Sequence, residues 1–378
     1  MTLPTADDSA GSGEPLDVPT RSSDVALELL DESSRRRLTG GELLLLFEEA
    51  ALDDLERAVR AARSPRGGPG RATYAVGCTV RCADSCSLDI GISCAGRVSG
   101  PPAVDVSPDG MAAVVRGVLD DGGRCRTGCD APPRLDACEA LLRDLKTALP
   151  GAWIHGGSPD GIHRLAASSG LQTLQVTRRL REAGLDSLSG EGAGILSDRL
   201  RSPQATGRAD ARRWIEISEE AHYLGLPTTT ALAPGVAETQ PERVAHLLRL
   251  RESQDRTSGY VAFSLRFRGP GSSAPDPRVA RDDLRTLAVS ALALDNVTHI
   301  QARLVGLDDR LAGRALSLGA TDLDDFALGA TDPQGAAPAV EPRSGDGLAG
   351  LIRAAGLVAV PRDFGFNVRA AAPPADHP

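Results

Sequence analysis

Apolar residues recur at two different spacings along this chain, and the switch between them sketches its architecture. Three stretches near the start, at 25–30, 42–50 and 52–62, keep the three-to-four-residue period of an amphipathic helix. Thr39, with Glu42 three residues on, marks a capped helix start, and the third stretch opens on acidic residues. SPRGGPGR at 64–71 breaks the pattern. Beyond it, short β-like runs at 73–76, 152–155, 187–188, 228–232, 261–265 and 300–305 alternate with helical ones at 111–119, 136–149, 173–183, 211–224, 241–253 and 282–294. Gly184 and Gly225 close two of these helices.

Such alternation is the mark of parallel βαβ units, and it predicts an α/β chain whose strands form one closed or partial (β/α) barrel of the TIM type. The expected organisation is a disordered leader over 1–22, a helical segment over 24–64, the barrel over 70–305, an extension packing on it over 306–368, and a disordered tail over 369–378.

Composition narrows the partners. The chain has 378 residues, enough for a full core, and only six Phe, three Tyr and two Trp beside 41 Gly and 26 Pro. It therefore lacks wide aromatic platforms for stacking bases, and its formal charge of −9 repels phosphate backbones. Nucleic acid is not an expected partner. Apolar runs stay well short of the roughly 18–20 residues that span a bilayer, so no membrane is expected and the chain reads as cytoplasmic. In that compartment seven cysteines, an odd number bunched between 78 and 138, are free thiols or metal ligands rather than a disulfide framework.

The bunching carries the candidate chemistry. VGCTVRCADSCSLDIGISCA at 76–95 follows the first β-like run and presents Cys78, Cys82, Cys86 and Cys94. Three thiolates on one loop can hold three corners of an iron–sulfur cube and leave the fourth iron open. In such barrels the chemistry lies on loops after the carboxyl ends of strands, where this stretch falls. The usual spacing is C-x3-C-x2-C. Here it is C-x3-C-x3-C, with Ser85 at the third position and Cys86 one residue later. Cys125, Cys129 and Cys138 are spaced too loosely to define a second site and read as structural.

Three long blocks, LREAGLDSLSGEGAGILSDRLRS (180–202), TTTALAPGVAETQPERVAHLLRLRESQDRTSGYVAF (228–263) and LALDNVTHIQ (292–301), resemble radical S-adenosylmethionine enzymes of the futalosine route to menaquinone. Cyclic dehypoxanthinylfutalosine synthase is the nearest look-alike, with aminofutalosine synthase and the deazaflavin-forming synthases as relatives. The resemblance implies a partial barrel with a [4Fe–4S] cluster on Cys78, Cys82 and Cys86, and S-adenosylmethionine chelated to the open iron. Reductive cleavage would give a 5′-deoxyadenosyl radical that abstracts hydrogen from a nucleoside-linked substrate, the electron coming from a donor such as flavodoxin or ferredoxin. Gly128 stands in the stretch matching the family's turn under the adenosylmethionine amino group. His155, at a strand's carboxyl end, and Glu191 are further candidates for the cofactor. Glu238 and Arg266 are candidates for the substrate, Arg266 with Arg268 facing a carboxylate.

The chain departs from that pattern in several places on the cofactor side. The aromatic residues that flank the third cysteine in the family are replaced by Asp84 and small or polar residues, and two family glutamates fall on Gly161 and Gly194. Asp160 and Glu191 lie close enough to stand in for them, or are solvated loop acids. These substitutions keep a second reading open, a barrel that has lost the cluster and serves as a binding protein or partner subunit. Thr239, with Glu242, reads equally as a helix cap or a ligand contact, and His299 reads as a packed core residue.

Overall fold

The computed structural model describes residues 21–63, 70–75, 134–190, 192–201, 208–235, 237–268, 276–304, 308–324 and 344–368, together with the backbone of Cys78–Arg81 and Asp89–Cys94. Three helices lead in. α1 (Asp24–Glu32) is capped by Ser23, and α2 (Gly40–Glu49) by the expected reciprocal pair of Thr39 and Glu42. α3 (Leu52–Arg63) carries its acidic residues in the first turn and Arg60 and Arg63 in the last, the order that the helix dipole favours. Arg63 reaches out to the carbonyls of Ala291, Leu294 and Val297 and fastens the segment to the barrel; burial lowers its pKa to about 10.

The barrel strands are β1 (Arg71–Ala75), β2 (Cys78–Arg81), β3 (Asp89–Cys94), β4 (Ala152–Gly156), β5 (Ser187–Leu188), β6 (Thr228–Leu232), β7 (Tyr260–Arg266), β8 (His299–Arg303), β9 (Asp322–Asp324) and β10 (Val358–Arg362). Around them lie α4 (Leu135–Ala148), α5 (Pro159–Ser169), α6 (Thr173–Ala183), α7 (Ala211–Tyr223), α8 (Gln240–Thr257), α9 (Pro277–Ala293), α10 (Asp309–Ser317) and α11 (Gly345–Ala354). The expected helix over 111–119 lies outside the described residues. The sheet runs β10-β1-β9-β8-β7-β6-β5-β4-β3-β2, with parallel pairing from β10 to β4 and antiparallel pairing beyond. Strands β9 and β10 come from the segment read as an extension, and they flank β1 inside the sheet.

This order forces the sheet to curl. β2 begins three residues after β1 ends, yet β2 is the last strand at one end of the sheet and β1 the second from the other. Three residues reach at most about 11 Å, so the two ends of the sheet must meet within that span. The expected TIM-like partial barrel is the fold, and its seam lies between the edge strands β2 and β10.

Alternation along the strands divides inside from outside. Ile154, Leu188, Phe263, Leu265, Ile300, Ala302 and Leu323 are buried in one apolar layer with the helices. The other face of the same strands looks inward and is polar.

The long block at 228–263 proves to be scaffold. Gln254 donates to the carbonyls of Tyr260 and Asn296 and accepts from the amide of Tyr260, which fixes the turn into β7. His222 bonds Thr257 and Thr228 through its two ring nitrogens, at 2.7 Å each. Gly259 is required beside it, because a Cβ there would lie 2.1 Å from the ring. Thr239 and Glu242 form a complete capping box on α8.

Burial holds His222 neutral, with a pKa lowered to about 4, and His246, which accepts the Leu196 amide, at about 3. The unfolded chain protonates such rings near pH 6.5 and the folded chain only well below that. Stability should therefore be full above about pH 6.5 and fall as the pH drops, His222 alone losing about 3 kcal/mol by pH 4. Urea midpoints measured between pH 7 and 5 should show this slope, and His222→Gln should flatten it.

Candidate functional site

The inward face of the barrel collects the polar residues of nearly every strand. One row crosses it through Thr73, Asp322, Gln301 and Ser264, and another through His155 and Ser187. At its centre Asp322, wholly buried, accepts hydrogen bonds from Thr73 Oγ1 (2.5 Å), Gln301 Nε2 (2.7 Å) and two nitrogens of Arg362 (2.6 Å each). Four donors saturate the carboxylate, which is what makes a buried charge tolerable.

Arg362 leads into a short strap, Asp363–Val368, that crosses the interior. Its guanidinium stacks on Phe366 at 3.8 Å, and Phe366 meets His299 at 4.8 Å. Phe364 stacks on His155 at 6.0 Å, and a Cβ on Gly365 would strike Trp153. Trp153 and His155 both bond Ser187 Oγ at 2.8 Å. In a chain this poor in aromatics, Trp153, Phe364 and Phe366 converge on the two inward histidines. Together they form a floor across part of the interior. His299 lies between sheet and strap, its pKa lowered by burial.

Above the floor, Arg266 ends β7 exposed, in register with Arg303 on β8, which pairs with Asp324 at 3.2 Å. Arg268 is committed elsewhere, to Asp282 and Asp283. Burial raises the pKa of Asp283 despite that arginine. Glu238 is also enclosed; it accepts from the Gly235 amide at 2.8 Å and from Arg243 at 2.9 Å, and so shapes the loop after β6. Asp160 is claimed by Arg201 at 2.7 Å, both almost fully buried. Arg201 also donates to the carbonyls of Gly192, Ala193 and Ala209, locking the loop after β5. That carboxylate is a brace rather than a substitute for a missing glutamate. Gly190 lets the same loop touch β6, where a Cβ would lie 2.4 Å from Thr230 Cα.

Cys78 begins β2, opposite Ile92, and Cys94 ends β3, opposite Ala152. The first cysteine thus stands in a strand, where the sequence reading has a loop. Cys82, Ser85, Cys86, Gly128 and Glu191 lie outside the described residues, and Cys138 is buried in α4. Among the described residues, no three His, Cys, Asp or Glu side chains gather as a metal site, and no helix is long and apolar enough to cross a membrane. The residues that sequence reasoning missed are Thr73, Gln301, Asp322, Arg362, Phe364 and Phe366.

Comparison with known proteins places this arrangement. No family model matches the chain. It is 35% identical to aminodeoxyfutalosine synthase of Thermus thermophilus over 59% of its own length and 62% of that protein's. It is 34% identical to cyclic dehypoxanthine futalosine synthase of Streptomyces coelicolor, over 49% and 47%. A 5-amino-6-(D-ribitylamino)uracil--L-tyrosine 4-hydroxyphenyl transferase of Methanosarcina barkeri is 28% identical over 80% and 81%. The chain is a divergent member of this group. The first matches span about half to three-fifths of those relatives' length. Two solved structures share the fold of this chain. Methylornithine synthase (PylB) has a TM-score of 0.54 at 15% identity, covering 88% of this chain and 97% of that one. The FeFe-hydrogenase maturase HydG from Carboxydothermus hydrogenoformans has a TM-score of 0.56 at 12% identity, covering 89% and 79%.

Membership of the group implies a [4Fe–4S] cluster with S-adenosylmethionine. Of the stretch that would hold the cluster, the described backbone from Cys78 to Arg81 is extended and paired along its whole length with β3.

Removing one partner of the Asp322–Arg362 pair strands a buried charge. Asp322→Ala or Arg362→Met should each cost about 3–5 kcal/mol in urea unfolding. Asp322→Leu combined with Arg362→Met should lose much less than the sum of the single changes.

Proposed function

We propose that the chain binds a small nucleoside-type molecule over the inner face of its barrel, above the Phe364–Phe366 floor. The observation that carries this reading is the polarity of that face. A (β/α) barrel whose interior is only a core fills it with branched apolar side chains, whereas this one lines it with Ser, Thr, Gln, His, Asp and Arg. His155, positioned by Ser187, offers an imidazole to a ring or hydroxyl. Arg266 offers a planar fork to a carboxylate or phosphate. Glu238 acts at one remove, by holding the loop after β6.

Homology supports a second reading, a radical S-adenosylmethionine enzyme resembling cyclic dehypoxanthine futalosine synthase. In it Cys78, Cys82 and Cys86 would hold the cluster that would supply radical chemistry, Gly128, His155 and Glu191 would line the adenosylmethionine site, and electrons would come from a flavodoxin- or ferredoxin-type donor. The chain's own residues would have the same tasks in either reading, namely to seat the ligand, orient it and keep water out.

Calorimetric titration of the purified chain with adenosine and with S-adenosylmethionine tests the binding reading. Saturable binding of at least one is expected. His155→Ala should weaken both, and Arg266→Ala should weaken the carboxylate-bearing ligand alone by about tenfold, the loss of one charge-assisted contact. Absence of binding by the wild-type chain, or affinities unchanged in both variants, would refute it.

A further inference from the structure

The turn that carries the strap breaks a local rule. The Asp363 amide donates to the carbonyl of Asn367 and the Phe366 amide to that of Asp363, both at 3.1 Å, and Val368 forms an antiparallel bridge back to Arg362. This is a hairpin with a three-residue loop at 364–366, of the kind whose last residue takes the left-handed conformation and is ordinarily glycine. Here that residue is Phe366, at φ +61°. The glycine stands one position earlier, at Gly365, where the backbone is not left-handed. Its missing side chain serves another end, because a Cβ there would lie 2.6 Å from the Trp153 ring.

A phenylalanine is disfavoured in that conformation by roughly five- to thirtyfold, so contacts must hold it there. Its ring lies under the Arg362 guanidinium at 3.8 Å and against His299 at 4.8 Å. A cation–π contact favours closure by roughly two- to thirtyfold, which is the same order with the opposite sign. The turn's own polar ties are local. The Asp363 carboxylate accepts from the Asn367 amide at 2.9 Å and from the Asn367 side-chain nitrogen at 3.1 and 3.2 Å. Phe366 is half-buried and Asn367 exposed. The point from which the turn hangs is of a different kind, since Arg362 is fully buried and donates to both Asp322 oxygens and to the Asp363 carbonyl. A fixed anchor carrying a turn whose strain is balanced by ring contacts has the make-up of an element with two positions.

We infer that residues 363–367 form a hinged floor, closed in this structure, that swings away from Trp153 and the two inward histidines while Arg362 and the barrel stay in place. Closed, it packs Phe364 on His155 and Phe366 on His299 and limits the depth of the interior. Open, it uncovers those faces of both imidazoles. This inference concerns the chain's own motion and stands whether or not the inner face takes a nucleoside.

The test reads local opening separately from unfolding, on the full chain without ligand. Hydrogen–deuterium exchange should show the Asp363, Phe366 and Asn367 amides exchanging at least about a hundredfold faster than those of β8. Trp153 is a built-in reporter, because the chain's other tryptophan, Trp214, is fully buried in α7. Gly365→Ala, whose methyl group would strike Trp153, should hold the floor open. Acrylamide quenching of Trp153 should then increase while the urea midpoint stays at the wild-type value. Asn367→Ala removes only exposed ties and should speed exchange of the Asp363 and Phe366 amides by about tenfold, leaving β8 unchanged. Turn amides that exchange at the rate of β8 in the wild type would overturn the inference, since the floor would then move only when the barrel unfolds. So would a Gly365→Ala chain that loses stability or fails to fold while Asn367→Ala keeps wild-type protection in the turn.

Discussion

Everything inside this barrel is arranged around one carboxylate. Asp322 lies on a three-residue strand and is held by side chains from β1, β8 and β10, elements that are distant from one another in the chain. A buried anion with four donors has few alternative arrangements, because any donor that leaves exposes an uncompensated charge to a poorly polarisable surround. It thereby sets the relative positions of three strands at the seam side of the sheet. It also orients Arg362, and through Arg362 the strap that floors the interior.

Other buried pairs repeat this logic at the loops. Asp160 with Arg201 holds the loop after β5, and Glu238, Arg243, Asp282, Asp283 and Arg268 hold the loops after β6 and β7. Three of these residues, Asp160, Glu238 and Arg268, attract notice in the sequence as possible ligand contacts. In the fold they are braces. These braces give the loops around the inner face a fixed geometry.

The barrel was legible in the sequence because alternating periods and capping signals are local. Thr39 with Glu42, Gly184 and Gly225 each ended or began a helix where the pattern put it. The interior was less legible for a physical reason. Asp322, Gln301, Thr73 and Arg362 acquire their meaning only from register across strands, and a three-residue strand such as β9 leaves too short a pattern to recognise. The β2–β3 hairpin was hidden for another reason. A run of cysteines reads first as ligands, and nothing local in Cys78–Arg81 distinguishes a loop from an edge strand.

The seam has a consequence for how the molecule comes into being. β1 sits between β9 and β10, so Thr73 meets its partner Asp322 at a sequence separation of 249, and β10 arrives only near residue 358. A chain emerging from the ribosome can build the helices and the central β4-to-β8 units as they appear, but it must hold its first strand unpaired until β9 is made. Its contact order is correspondingly high, which slows folding and leaves the edge of β1 exposed in the meantime. The leading helices, lying just before β1 and packed on α9 through α2 and α3, give that waiting strand an anchor until its neighbours arrive.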